Sequence, residues 1–262
     1  MSEDAFTART LGRVNKKVHR LGLAPSYGID VNGFSAALER GLNYVFWQRN
    51  LRPLRERLRQ ALRTDRERYV VSTGVGFVFT AGRVRRTAER MLKVLGTDYL
   101  AVFQLYWLGR MAAWTKGVVE ELVKLREEGK VRAIGVSIHD RPRAGKLAED
   151  SPLDLLMIRY NAAHPGAEKD IFPHLAARKP SVVAYTATSW RKLLKPPSGW
   201  TGPAMSAGDC YRFCLSNPNV DVVLCAPATQ RELEENLAAL DRGPLAADEE
   251  KWMRDYGRAV HG

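Results

Sequence analysis

Arg159, His164 and Glu168 stand close together in the chain, and their types and spacing suit acid–base and anion chemistry. A histidine titrates near neutral pH and so can give or take a proton under ordinary conditions. Glu168 follows His164 by one helical turn, a spacing at which two side chains meet if the segment is helical. Arg159 offers a planar guanidinium that matches a carboxylate or phosphate. His164 also suits a structural place, holding a loop or capping a helix, and that reading carries more weight than the catalytic one. Tyr106, beside Trp107, is the other proton-transfer candidate, a phenol whose ordinary pKa is about 10. His139 and Asp140 form a weaker pair, better read as the start of a helix, because Asp is a favoured N-cap. Cys210, Cys214 and Cys225 are odd in number and lack metal-ligand spacing, so no metal site is expected. Buried free thiols in a reducing cytoplasm are the expectation for all three.

The elements that must position these groups alternate along the chain. Short β-type runs are followed by amphipathic helical runs, the rhythm of βα units and a parallel sheet. Strands are expected near Arg20–Leu23, Tyr44–Trp47, Tyr69–Thr73, Ala101–Tyr106, Ala133–Ser137, Leu155–Tyr160, Val182–Tyr185 and Val222–Cys225. Eight such strands close a (β/α)8 TIM barrel, which takes roughly 250 residues. Residues 1–262 are therefore read as one barrel. Val118–Glu128 and Arg231–Leu240 show helical leucine and valine stripes, and Gly129 and Gly243 stand where helix ends favour positive φ. The loops Arg110–Thr115 and Lys195–Pro203 follow the fourth and seventh strands, on the face where barrels keep their sites. That mouth is expected to present Tyr44 or Phe46, Trp47, Tyr106, Trp107, His139, Arg159, Asn161 and Tyr185.

The formal net charge of +12 raises the question of nucleic acid. Its densest source is Arg49 to Arg68, where Leu51, Leu54, Leu58 and Leu62 recur at helical spacing. That pattern turns a leucine stripe inward and leaves the arginines in water. No helix-turn-helix, zinc-finger or RNP-like pattern accompanies it, so a solvated helix face is favoured over a nucleic-acid site. The run Tyr69 to Phe79 is too short and glycine-rich to span a bilayer, and no membrane is expected. The opening residues, from Met1 to Phe6, carry neither the basic start nor the apolar stretch of a secretory signal, and cytoplasmic residence is the expectation.

The wording of the motifs resembles the aldo-keto reductases. RLGL at Arg20–Leu23, GID at Gly28–Asp30, ALERGLN at Ala37–Asn43 and LGTDYL at Leu95–Leu100 resemble the family's approaches to successive strands. GKVRAIGVS at Gly129–Ser137 resembles its fifth strand, and Tyr160-Asn161, Val183–Tyr185 and Glu234–Leu237 follow in the expected order. The resemblance implies a carbonyl reductase using NADPH, with a proton-donating tyrosine, a lysine that lowers its pKa, a supporting aspartate and an orienting histidine. This chain departs at all four places. Phe46 stands for the aspartate, Leu51 for the tyrosine, Gly74 for the lysine and Tyr106 for the histidine. Without a neighbouring cation a phenol stays a weak acid, and general acid catalysis is worth roughly 10²–10⁴-fold. Tetrad chemistry is therefore not expected.

For the dinucleotide, the resemblance implies Ser137 and Tyr185 around the nicotinamide, Thr186 near the pyrophosphate, and Glu235 and Asn236 at the adenine. Ile138 and Met157 stand where two amide partners belong. Ala226 and Glu232 stand where the 2′-phosphate contacts belong, with Arg231 next door as a substitute. Apolar groups facing a carboxamide leave its polar atoms unpaired, at about 1–3 kcal/mol per group. Loss of NADP binding is favoured over its retention. Three readings stay open. The first is a barrel binding a small aromatic or anionic ligand at its mouth, with Tyr106 and His164 as proton-transfer candidates. The second is an NADPH-dependent oxidoreductase with a replacement donor such as Tyr106. The third is a non-catalytic regulatory protein that binds a partner through Arg55, Arg59 and Arg63.

Overall fold

The computed structural model describes residues 6–48 and 51–261. Arg49, the first residue of the basic run, and the opening residues 1–5 lie outside the described residues. Ten strands occur in chain order: β1 Ala8–Leu11, β2 Lys16–His19, β3 Leu21–Leu23, β4 Tyr44–Phe46, β5 Val70–Val75, β6 Leu100–Leu108, β7 Val131–Ile138, β8 Leu155–Arg159, β9 Ser181–Tyr185 and β10 Val222–Cys225. Strands β3 to β10 close on themselves as a parallel (β/α)8 TIM barrel, with β10 beside β3. The helices are α1 Val31–Glu39, α2 Arg52–Thr64, α3 Ala81–Leu95, α4 Lys116–Glu127, α5 Arg141–Glu149, the short α6 Ala167–Asp170, α7 Ala207–Ser216, α8 Gln230–Leu240 and α9 Ala247–His261.

Alternation along each strand divides the apolar residues into two layers. Tyr44, Phe46, Val70, Val102, Leu155, Met157, Val183, Val222 and Leu224 fill the barrel interior. Val45, Trp47, Val71, Phe103, Leu105, Ile134, Val136 and Ile158 point outward into the layer beneath the helices. Trp47, expected at the mouth, is thus fully buried in that outer layer, and Tyr44 lies deep inside the barrel rather than at its rim. On α2 the leucine stripe holds at Leu54, Leu58 and Leu62, all buried. Leu51 breaks it. It precedes the first helical turn and is 41% exposed. The strand read from Arg20 begins one residue later, and Arg20 instead buries its guanidinium against the carbonyls of Phe6 and Leu215.

Gly129 and Gly243 do end helices with positive φ, 74° and 71°. The antiparallel hairpin β1–β2 was not expected from the sequence, since its four-residue strands carry no clear apolar alternation. Leu11, Val14 and Val18 join the interior cluster, so the hairpin plugs the barrel at the end opposite the mouth. Among the described residues no helix is long and apolar enough to cross a membrane.

Candidate functional site

A cavity of about 480 Å³ opens at the C-terminal ends of the strands. Phe46, Gly74 and Tyr106, read from sequence as tetrad positions, all line it, together with Ser137, His139, Met157 and Tyr185. The rings of Phe46 and Tyr106 meet edge to face, with centroids 5.8 Å apart. Gly74 is paired in register with Gln104 on β6. A Cβ at Gly74 would lie 2.2 Å from the Gln104 carbonyl oxygen, so the backbones approach too closely for any side chain. The strand spacing therefore leaves no room for a lysine side chain at this position. Beneath the cavity Gln104 Nε2 donates to Ser72 Oγ at 2.6 Å.

The Tyr106 hydroxyl is shielded from solvent and has no hydrogen-bond partner. Burial pushes its phenol well above the ordinary value, and the Thr73 hydroxyl, which does not meet it in hydrogen-bond geometry, offsets only part of this. Tyr106 is thus a neutral donor with nothing to donate to. Unsatisfied buried donors are costly, and this one belongs to a residue of the cavity wall. Leu51 does not line the cavity. Tyr27 does line it from the β3–α1 loop, with its hydroxyl bonded to Gln48. From α3, Arg83, Thr87 and Arg90 reach the same cavity along one helix face. Tyr27 and these three were missed in the sequence, because loop and helix contributions to a mouth depend on how neighbouring units pack.

The opposite wall is a row of rings. Trp107 and His139 have centroids 5.7 Å apart, and His139 and Tyr185 6.0 Å apart, edge to face. The Tyr185 hydroxyl lies 3.1 Å from His139 Nε2. Trp107 follows an irregularity in β6 and takes positive φ (53°), while its N–H donates to Ser137 Oγ at 2.9 Å. Phe77 and Trp190, also exposed at the mouth, share that left-handed backbone. Non-glycine residues pay for this conformation, and such strain gathers at functional sites. His139 was read as part of a helix start. Its neighbour Asp140 does cap α5, accepting from Arg143 N, while His139 itself faces the mouth. Burial, then Arg159 and Arg110, hold its imidazole below the ordinary range. Burial pushes the Tyr185 phenol up to about 12, with Arg159 opposing.

His164 stands apart. Its ring packs on His261 with centroids 4.9 Å apart, and Nδ1 lies 3.2 Å from Asn161 Oδ1. The expected pair with Glu168 is not formed. Glu168 instead accepts from Tyr160 Oη at 2.6 Å and Arg254 Nη2 at 2.9 Å. Burial and the charges of Arg159 and His261 lower the His164 pKa to about 4. Asn161, expected at the mouth, is buried and donates to the Thr186 carbonyl, tying two loops together.

The dinucleotide subsites can be checked one by one. At the amide end, Ser137 already accepts from Trp107, and Ile138 and Met157 are buried apolar groups. Thr186 Oγ1 donates to the Tyr185 carbonyl. Glu235 is paired with Arg231 at 2.7 Å, and Asn236 is 5% exposed. Of the positions that the resemblance assigns to a nicotinamide, the Tyr185 ring and the Ser137 hydroxyl line the cavity, and the apolar Met157 stands where an amide partner belongs. The three cysteines are buried and free.

Comparison with known proteins agrees with the fold. The aldo/keto reductase family model matches residues 43–192. L-galactose dehydrogenase of Arabidopsis thaliana is 22% identical over 212 residues, which cover 69% of this chain and 66% of that protein. Aldo-keto reductase YhdN of Bacillus subtilis (strain 168) is 27% identical over 103 residues, covering 39% of this chain and 31% of that protein. The chain thus matches less than two thirds of the length of either relative. Among solved structures, the holo form of aldo-keto reductase AKR11C1 from Bacillus halodurans superposes with a TM-score of 0.79 at 21% identity, covering 97% of both chains.

Proposed function

The chain belongs to the aldo/keto reductase family, and on that footing we propose that it binds a small aromatic or anionic ligand in the mouth of the barrel, without tetrad chemistry. The observation that carries this reading is the ring-lined cavity at the strand ends, whose wall includes Tyr106 with its shielded, unpartnered hydroxyl. A flat ligand gains by contact with Phe46, Tyr106 and Trp107, and an oxygen on it satisfies the orphaned phenol. In this role Tyr106 donates a hydrogen bond, and its raised pKa keeps the proton in place at neutral pH. Thermal-shift and fluorescence titrations with a panel of small aromatic acids and amides test the reading. Tyr106→Phe is expected to weaken the best binder about fivefold, the worth of one neutral hydrogen bond. Unchanged affinity would remove Tyr106 from the site.

The second reading, an NADPH-dependent oxidoreductase, is favoured by the names of the relatives and by Tyr185 and Ser137 lining the cavity. Titration with NADPH, followed by its fluorescence, separates the two readings. No signal change at millimolar cofactor is the expected result. Saturable binding together with turnover of a carbonyl substrate would restore the reductase. The regulatory reading has less support, because Arg55 and Arg59 are half-buried on α2 and Arg55 is bonded to Glu56.

A further inference from the structure

Among the described residues Arg159 and Arg110, near the mouth, lack acidic partners, as do the cavity-lining Arg83 and Arg90. Arg159 ends β8 two residues after the cavity-lining Met157, on the same inward face, and its Cα is in register with that of Tyr185. Among the described residues no carboxylate pairs with it. Its guanidinium lies over the exposed Trp190 ring, 5.8 Å from the centroid. Arg110 mirrors it from the β6–α4 loop, 5.7 Å over Trp107 and equally without an acid. Both charges act on the His139 imidazole. Most arginines of this chain with buried or half-buried heads are answered by carbonyls or carboxylates, as Arg20, Arg126 and Arg212 are. Two cations left unanswered beside the cavity-lining Tyr185 and Trp107 favour an arriving anion.

We propose that Arg159, with Arg110 on its far side, forms an oxyanion subsite around the His139–Tyr185 pair, which takes the carboxylate or phosphate of a ligand whose aromatic ring lies against Phe46 and Tyr106. The proposal deepens the mouth-binding reading and rests on it. It narrows the ligand from aromatic or anionic to both at once. The Tyr185 hydroxyl and the His139 imidazole share a hydrogen bond, so the neutral pair supplies one further donor beside the guanidinium, which forms the charge-assisted bond. The tryptophans hold the two arginine planes in place, so less side-chain freedom is lost when the anion binds.

Calorimetric titration of the intact chain with benzoate, phenyl phosphate, benzamide and inorganic phosphate tests this. Benzoate and phenyl phosphate are expected to bind at least tenfold more tightly than benzamide. Arg159→Met should weaken both anions by about tenfold or more and leave benzamide unchanged, while Arg159→Lys keeps part of the gain. A thermal melt of each variant verifies folding. Equal affinity for benzoate and benzamide, or anion binding indifferent to Arg159→Met in a folded variant, would overturn the subsite and leave the mouth reading standing. Binding of none of the four would overturn both. Inorganic phosphate matching phenyl phosphate would overturn the requirement for a ring.

Discussion

At the scale of single residues, Tyr106 ties function to stability. Its hydroxyl is desolvated without compensation in the free protein. Tyr106→Phe should therefore raise stability by about 1 kcal/mol while weakening ligand binding, the exchange expected of a binding group. A chemical-denaturation midpoint that falls instead would mean the hydroxyl has a partner in solution. His139 was legible in part. Ser137 faces inward, and alternation carried two residues past it points His139 the same way, as Met157 does for Arg159. His139 is accordingly among the residues expected at the mouth, but its contact with Tyr185 was not legible. For His164 a loop-holding place was the favoured reading, and only its packing on His261 was not legible, because that ring comes from the last helix.

At the scale of elements, the eight barrel strands could be read from sequence because each is buried on both faces and so appears as a short apolar run between helical stripes. The β1–β2 hairpin could not, since Lys16–His19 carries as much charge as apolar surface. The departures at Phe46, Leu51, Gly74 and Tyr106 were readable residue by residue, but the want of room at Gly74 was not, because it lies in the spacing of β5 and β6. Gly74→Lys should fail to restore carbonyl reduction and should cost about 2 kcal/mol or more, since a Cβ there meets Gln104 backbone. The measurement is a melt beside an NADPH-coupled assay. A stable, active Gly74→Lys variant would show that the strands part easily.

At the scale of the whole molecule, α9 is fastened across the barrel's flank by ion pairs with buried arginine. Arg212 is 2% exposed and bonds both Glu249 oxygens, at 2.7 and 3.0 Å, with Arg242 alongside. The Arg212 guanidinium holds the Glu249 pKa down to about 2, below its usual 4.5. A depressed carboxylate stabilises the fold fully above the unfolded value and loses that contribution as pH falls through the folded one. Glu249→Gln should thus cost about 1–2 kcal/mol at pH 7, allowing for partial exposure, with the gap closing between pH 4.5 and 2. Melting curves of both proteins across that range check the sign. A gap constant with pH would assign the loss to packing.

The hairpin that stoppers the base of the barrel leaves a vessel with one door. Whatever reaches Tyr106 passes the rim at Phe77 and Trp107, and whatever is released must go back the same way. Bulk at that rim slows arrival and departure alike, so trimming Phe77 would quicken the traffic in both directions while leaving the balance between bound and free nearly where it stood.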